Sequence, residues 1–355
     1  MPNYTGVNSL IALADKYLTS LEELLRGARH MTKYNFQQIS VQGDTGGTVA
    51  SGINDEGQIS GWSVPGGYNI YPHSFVDTNG SMVPLTSSSP VFMSGQAAAA
   101  GINNEGQISG TQGSSPVGIR AFLWAPDKTA QTFSSVPTAT YGTLSHGGGV
   151  NDLGQVVGSN DAFNGFNGHN SFLWQAGKMS FLQYPGATFT DARGISDDGT
   201  IVGYYSAARL PNGSSAPNHP FVDTNGHMTA IMVPGAVSAE ANAISPDGRQ
   251  IVGTYQDSAG HNHGWIDRAG RIQTLDMPGA TDTSLLGLND FKQIVGSYVT
   301  AGDPVQHGFV ATPDTEDLHG GPQALPGIVR QHTGLSQGAL FYDPSHPVMS
   351  GMVTS

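Results

Sequence analysis

The chain contains no cysteine, which removes disulfides and thiolate metal sites from consideration. Stability must then come from packing alone. Charge is scarce as well: charged residues make up 12% of 355 positions, and only 14 are Lys or Arg against 27 Asp or Glu. The formal net charge of −13, without a basic cluster, argues against nucleic acid or an anionic membrane as partner, since clustered cations are what displace counterions. No run of about 18 apolar residues occurs, so no helical membrane span is expected, and no basic-then-apolar signal segment opens the chain. The lysine- and glutamate-rich stretches of long surface helices are missing too. Turn material is plentiful, with 49 Gly and 21 Pro.

One ten-residue phrase recurs six times, from Gly52-Ile53-Asn54-Asp55-Glu56-Gly57-Gln58-Ile59-Ser60-Gly61 to Gly287-Leu288-Asn289-Asp290-Phe291-Lys292-Gln293-Ile294-Val295-Gly296. Its copies at Ile53, Ile102, Val150, Ile195, Ile244 and Leu288 are spaced by 49, 48, 45, 49 and 44 residues. A period in the forties, made of short alternating strands and glycine turns, is the size of one four-stranded propeller blade. The fifth copy shows the four strands in order: Glu240–Ser245, Gln250–Tyr255, Gly264–Asp267 and Ile272–Asp276. Asn or Asp followed by Gly marks the turns between them, as in Asp77-Thr78-Asn79-Gly80.

The sixth copy lacks a fourth strand after Ala311. The segment from Tyr34 to Val41 resembles a fourth strand and directly precedes the first copy. An all-β, six-bladed β-propeller closed by this N-terminal strand is therefore expected over residues 31–313, since closure removes exposed edges. Residues 1–30 form a separate segment, in which Val7, Leu10, Ile11, Ala14, Leu18, Leu21 and Leu25 recur at helical spacing. They predict an amphipathic helix, packed on the propeller or joining copies through residues 7–25, or else an appended piece ahead of a native start at Met31. Residues 314–355 show no period and are expected to be an irregular extension.

The phrase, followed by His-x-Phe as in His73-Ser74-Phe75, His219-Pro220-Phe221 and His307-Gly308-Phe309 and then by Pro-Gly-Ala, resembles the HAF-repeat family of bacterial, often extracellular, proteins. Arg120 and Asn170 depart from the His position and Trp265 from the Phe position. The resemblance covers roughly residues 34–312. It implies a repeat fold and an extracellular setting, and no single activity.

Residues alike in every blade are explained by the blade. The recurring His73, His219, His263 and His307 are thus expected to hydrogen-bond backbone groups of their own blades. Residues that deviate need another reason. On the innermost strand, the fourth position before the Ile of the phrase reads Val49, Ala98, His146, Asp191, Glu240 and Ser284; the second reads Ser51, Ala100, Gly148, Arg193, Asn242 and Leu286. Blades three to five thus bring His146, Asp191, Arg193, Glu240 and Asn242 toward the axis. The loops after the second strands add aromatic and polar residues, among them Tyr68, Tyr71, Phe163, Phe166, Tyr204, Tyr205, Arg209, Tyr255 and Tyr298.

Flat rings beside directional polar groups suit a carbohydrate or another polar small ligand. The ligand-binding set is Asp191, Asn242, Asp282, Tyr205, Tyr255 and Tyr298. The first expectation is a binding module for a small polar molecule, a glycan or a protein partner. The alternative is a lyase or isomerase acting on a uronate-like substrate, with His146 or a tyrosine moving the proton, Arg193 neutralising a carboxylate and Glu240 or Asp191 orienting the base. A structural or assembly protein is the third. No phosphate-binding glycine loop, nucleophile elbow or His-Glu-x-x-His occurs, and His261-x-His263 lacks an evident third ligand, so neither cofactor nor metal is expected.

Overall fold

The computed structural model describes residues 32–66, 71–86, 96–113, 118–133, 144–161, 170–206 and 216–314. The helix expected before residue 31, the extension after 314, and Tyr68, Phe163, Phe166 and Arg209 lie outside the described residues.

Among the described residues, twenty-four strands form six antiparallel four-stranded sheets arranged as the blades of a β-propeller. Blade one holds β2 (Thr48–Ile53), β3 (Gln58–Ser63), β4 (His73–Thr78) and β5 (Ser81–Pro84); blade two holds β6 (Ala97–Ile102), β7 (Ile108–Gln112), β8 (Arg120–Trp124) and β9 (Ala130–Phe133). Blade three comprises β10 (Leu144–Val150), β11 (Val156–Asp161), β12 (Asn170–Gln175) and β13 (Lys178–Leu182). Blade four comprises β14 (Phe189–Ile195), β15 (Ile201–Ser206), β16 (His219–Thr224) and β17 (His227–Ala230). Blade five follows with β18 (Ser238–Ile244), β19 (Gln250–Gln256), β20 (Asn262–Arg268) and β21 (Arg271–Thr274). Blade six takes β22 (Ala280–Leu288), β23 (Ile294–Thr300) and β24 (Asp303–Pro313) from the end of the repeat, and β1 (Tyr34–Ile39) from its start. The closing strand pairs Tyr34 with Pro313 through to Ile39 with Gly308, and its Phe36 packs on Phe309 with centroids 5.5 Å apart.

Each blade centres on one buried aromatic of its third strand: Phe75, Phe122, Phe172, Phe221, Trp265 and Phe309. Directly opposite each, on the second strand, lies the last glycine of the phrase, as Gly61 faces Phe75 and Gly253 faces Trp265. A Cβ on Gly61 would sit 2.3 Å from the Val49 carbonyl oxygen and 2.5 Å from the Phe75 ring, so only glycine lets the innermost strand and the core ring approach this closely.

The Asn-Asp of the phrase fastens blade to blade as well as turning the chain. Asn54, Asn103 and Asn151 donate their side-chain amides to the carbonyls of Asn103, Asn151 and Ser196, at 3.0, 2.8 and 3.0 Å. The next residue runs a second circuit, in which the N–H groups of Asp55, Asn104 and Asp152 donate to side-chain oxygens of Asn104, Asp152 and Asp197. Where serine replaces the asparagine, at Ser196 and Ser245, a hydroxyl caps the local turn instead, and the Asp197 N–H reaches the Pro246 carbonyl at 3.0 Å.

His219, His263 and His307 take partners other than the backbone groups expected of them. Strand carbonyls and N–H groups are already paired in the ladders, so the imidazole edges of His263 and His307 meet carboxylates. His263 Nδ1 lies 2.8 Å from Asp276, and His307 Nε2 3.0 Å from Asp303. His219 packs its ring against Tyr205, 5.4 Å between centroids.

Candidate functional site

Every innermost strand carries a β-bulge at the same place, shown by register shifts between Ala50 and Gly52, Ala99 and Gly101, Gly147 and Val150, Ala192 and Gly194, Ala241 and Ala243, and Leu285 and Gly287. A bulge leaves a residue out of the ladder and re-aims its side chain. The residues so released are Ser51, Ala100, Gly148, Arg193, Asn242 and Leu286, and all six line one cavity of about 680 Å³ at the axis. A second tier comes from the paired positions Val49 with Trp62, Ala98 with Thr111, His146 with Ser159, Asp191 with Tyr204, and Ser284 with Ser297. These line the same cavity.

The walls differ in character. Blades one, two and six contribute Val49, Trp62, Ala98, Ala99, Ala100 and Leu286, with serine and threonine hydroxyls between them. Blades three to five contribute His146, Asp191, Arg193, Tyr204 and Asn242. Because the innermost strands follow one another round the ring, blade one faces blade four, and Trp62 lies on the wall opposite Tyr204 and Arg193.

Arg193 organises the polar wall. Its Nε donates to Asp191 at 2.9 Å, its Nη2 to the Tyr204 hydroxyl at 3.3 Å, and Glu240 stands 3.8 Å from the same nitrogen. The guanidinium also lies over the Tyr204 ring, 5.1 Å from its centroid. Burial opposes the charge on Arg193, but Asp191, Tyr204 and Glu240 outweigh it and hold the group protonated above its ordinary range. Burial, followed by the Asp191 charge, raises the Tyr204 phenol well above the usual tyrosine value, so it is an uncharged hydroxyl at neutral pH. Asn242, 7% exposed, donates to the Leu285 carbonyl at 2.8 Å and to Thr254 at 3.0 Å, while its side-chain oxygen has no partner among the described residues.

Of the residues singled out in the sequence, the structure brings His146, Asp191, Arg193 and Asn242 together in the cavity. Glu240 stands behind them, accepting from Asn218 at 2.7 Å as well as facing Arg193. Asp282 accepts the Asn262 N–H at 2.9 Å and is not a lining residue. Tyr205, Tyr255 and Tyr298 are placed elsewhere than the channel mouth: they lie within their blades, paired across the ladder with His219, His263 and His307 at centroid distances of 5.4, 5.2 and 5.3 Å. The reason is strand parity, since Tyr205 follows Tyr204 and neighbours point to opposite faces. Of the other lining rings, the sequence reading places Tyr204 in a loop and does not single out Trp62 or Phe189. Trp62 and Tyr204 occupy the position after the last glycine of the phrase, where the other blades have Thr111, Ser159, Thr254 and Ser297.

At the far ends of the innermost strands, Asp55, Asp152, Asp197, Asp247 and Asp290 gather with Asn104 about the axis. Burial and mutual repulsion raise Asp55, Asp197 and Asp290 above the ordinary carboxylate value, Asp290 to about 6. Among the described residues, no group of three or more His, Cys, Asp or Glu has the geometry to hold a metal ion.

No family model and no curated protein matches the chain. Similar solved structures include TolB from Acinetobacter baumannii, with 13% identity and a TM-score of 0.47 over 77% of this chain and 65% of that one. A protein of unknown function from Dyadobacter fermentans is 13% identical, with a TM-score of 0.49 over 79% of this chain and 99% of its own. A gluconolactonase from Xanthomonas campestris is 10% identical, with a TM-score of 0.49 over 79% of this chain and 90% of its own. This chain thus spans just under two thirds of the TolB chain.

Proposed function

We propose that the protein is a binding module whose axial cavity receives a carbohydrate or another polar small molecule. The observation that carries this reading is the repeated bulge. One backbone device delivers a side chain to the axis from every blade, and in blades four and five alone it delivers Arg193 and Asn242 instead of a small or apolar residue. Closing the ring does not require an arginine there, since the same bulge in blades two and three is filled by Ala100 and Gly148. A cavity of about 680 Å³ with an aromatic face, hydroxyls and one charged cluster has the size and mixed lining of a small-molecule site. The HAF-repeat resemblance is in keeping with a repeated scaffold carrying a locally specialised site.

Elimination chemistry receives less support. Its base would have to be His146 or a tyrosine, and Tyr204 is held as a neutral phenol. Its carboxylate-binding cation would be Arg193, whose charge Asp191 and Glu240 already match. Titration calorimetry over a panel of neutral and acidic oligosaccharides, repeated with His146→Ala and Arg193→Ala, tests the binding reading. Loss of binding in both variants with unchanged unfolding is the expected result, and undiminished binding in both overturns the axial site.

A further inference from the structure

The charge balance of the cavity discriminates between ligand classes. Arg193 is the cation nearest the polar wall, and two carboxylates stand against it, Asp191 at 2.9 Å and Glu240 at 3.8 Å. The cluster therefore carries a net negative charge before any ligand arrives. A carboxylate placed within about 5 Å of it would meet repulsion from the unmatched charge in a partly desolvated site, where such interactions are stronger than in water. The same cluster still offers hydrogen bonds. Nη1 of Arg193 has no partner among the described residues, and neither has the indole N–H of Trp62 on the facing wall. Two unpaired donors thus belong to residues on opposite walls of the cavity, one an aromatic ring and one a guanidinium beside carboxylate acceptors.

Resting on the proposal of an axial binding site, we infer that its ligand is a neutral sugar ring, seated with its C–H face on Trp62 and its hydroxyl edge toward Arg193 and Asp191, and that uronates are excluded. A pyranose supplies what each wall lacks: an apolar face for the indole, oxygens that accept from Nη1, and hydroxyls that donate to Asp191. A carboxylate on the ring would meet Asp191 and Glu240, with the guanidinium already engaged by both.

The four tryptophans make this directly measurable. Trp124, Trp174 and Trp265 are 9%, 6% and 0% exposed, so Trp62, which lines the cavity, is the indole open to a soluble quencher. Acrylamide quenching of the full chain is read while neutral gluco-, xylo- and galacto-oligosaccharides are titrated against galacturonate and glucuronate oligomers of equal length. Neutral sugars should protect Trp62, with uronates weaker by about tenfold or more. Asp191→Asn and, separately, the more exposed Glu240→Gln should narrow that gap by strengthening uronate binding. Equal or tighter uronate binding in the native protein overturns the neutral-ligand inference and leaves the axial site standing. Protection by no sugar of either charge, with Trp62→Phe confirming the source of the signal, overturns both.

Discussion

Asn289 of the sixth blade donates its side-chain amide to the backbone carbonyl of Asn54 in the first at 3.0 Å, and the following Asp290 N–H donates to Asp55 at 2.9 Å. The last and first copies of the phrase are thereby joined by the same pair of bonds that link blades one to two and two to three. Ring closure has two components: the shared sheet of blade six at the rim, and this polar circuit near the axis.

Breaking the inner circuit should be measurable by itself. Asn289 is fully buried and also holds Gln293 through both ends of its amide, at 2.9 and 3.0 Å. Asn289→Ala is expected to lower the unfolding free energy by about 1–3 kcal/mol in urea titration, because it leaves the Gln293 N–H without its acceptor and takes from the buried Asn54 carbonyl one of its two donors, the Gly57 N–H being the other. Asn289→Ser should lose less, since Ser245 shows that a hydroxyl at this position caps its own turn.

The rim should matter more than the inner circuit. Removing residues 32–43 strips β1 from blade six, exposes the edge of β24 and uncovers Phe309 where Phe36 packs. The truncated chain is expected to aggregate, measured as loss of the monomer peak in light scattering, because an unpaired apolar strand edge recruits other chains. A soluble protein with an unchanged melting temperature would refute closure through β1.

Acidic groups at the far ends of the innermost strands give stability a distinct pH dependence. Burial, followed by the charges of Asp55, Asp247 and Asp197, raises Asp290 from 3.8 in the unfolded chain to about 6 in the folded one. The folded state then binds the proton more tightly, so the Asp290 contribution is fully present below 3.8 and is lost as pH rises through about 6. Asp290→Asn keeps the oxygen that accepts the Asp247 N–H and matches Asn104 at the equivalent place in blade two. It should stabilise the protein at pH 8 by on the order of 1 kcal/mol, after allowance for solvent screening of a half-exposed group, and by nothing measurable near pH 3.5. Denaturant midpoints at the two pH values check the sign.

The repeat made much of this fold legible. Six copies in register fixed the blade count, and the missing fourth strand after Ala311 pointed to Tyr34–Val41 as its replacement. Reading down equivalent positions also brought His146, Asp191, Arg193 and Asn242 to one place. The bulge was not legible, because an extra residue in one strand of a pair shows only in the register; yet it is what aims Arg193 and Asn242 at the axis. Tyr205, Tyr255 and Tyr298 were misplaced for a related reason. The sequence reading counts them with the loops at the strand ends, whereas each lies inside a strand, and in the strand of Tyr205 the inward position is Tyr204. The inter-blade role of Asn54 and Asp55 was hidden because turn chemistry already accounted for both.

A close approach in the core of blade five makes the sharpest packing prediction. A Cβ on Gly253 would lie 2.0 Å from the Glu240 carbonyl oxygen and 2.5 Å from the Trp265 ring. Two obstacles are present, one of side chain and one of backbone. Gly253→Ala should therefore destabilise by about 3 kcal/mol or more, at the upper end of overpacking effects, since a ladder-bound carbonyl cannot move aside. Adding Trp265→Phe, the smaller ring used in the other five blades, trims the indole but leaves a ring that a Cβ would still approach closely, as at Gly61 and Phe75, and it removes the bond from Trp265 Nε1 to the Glu240 carbonyl at 3.1 Å. The double variant is expected to recover only part of the loss in thermal denaturation. Full recovery would mean that the ring alone, and not the innermost strand, dictates glycine at the end of the phrase.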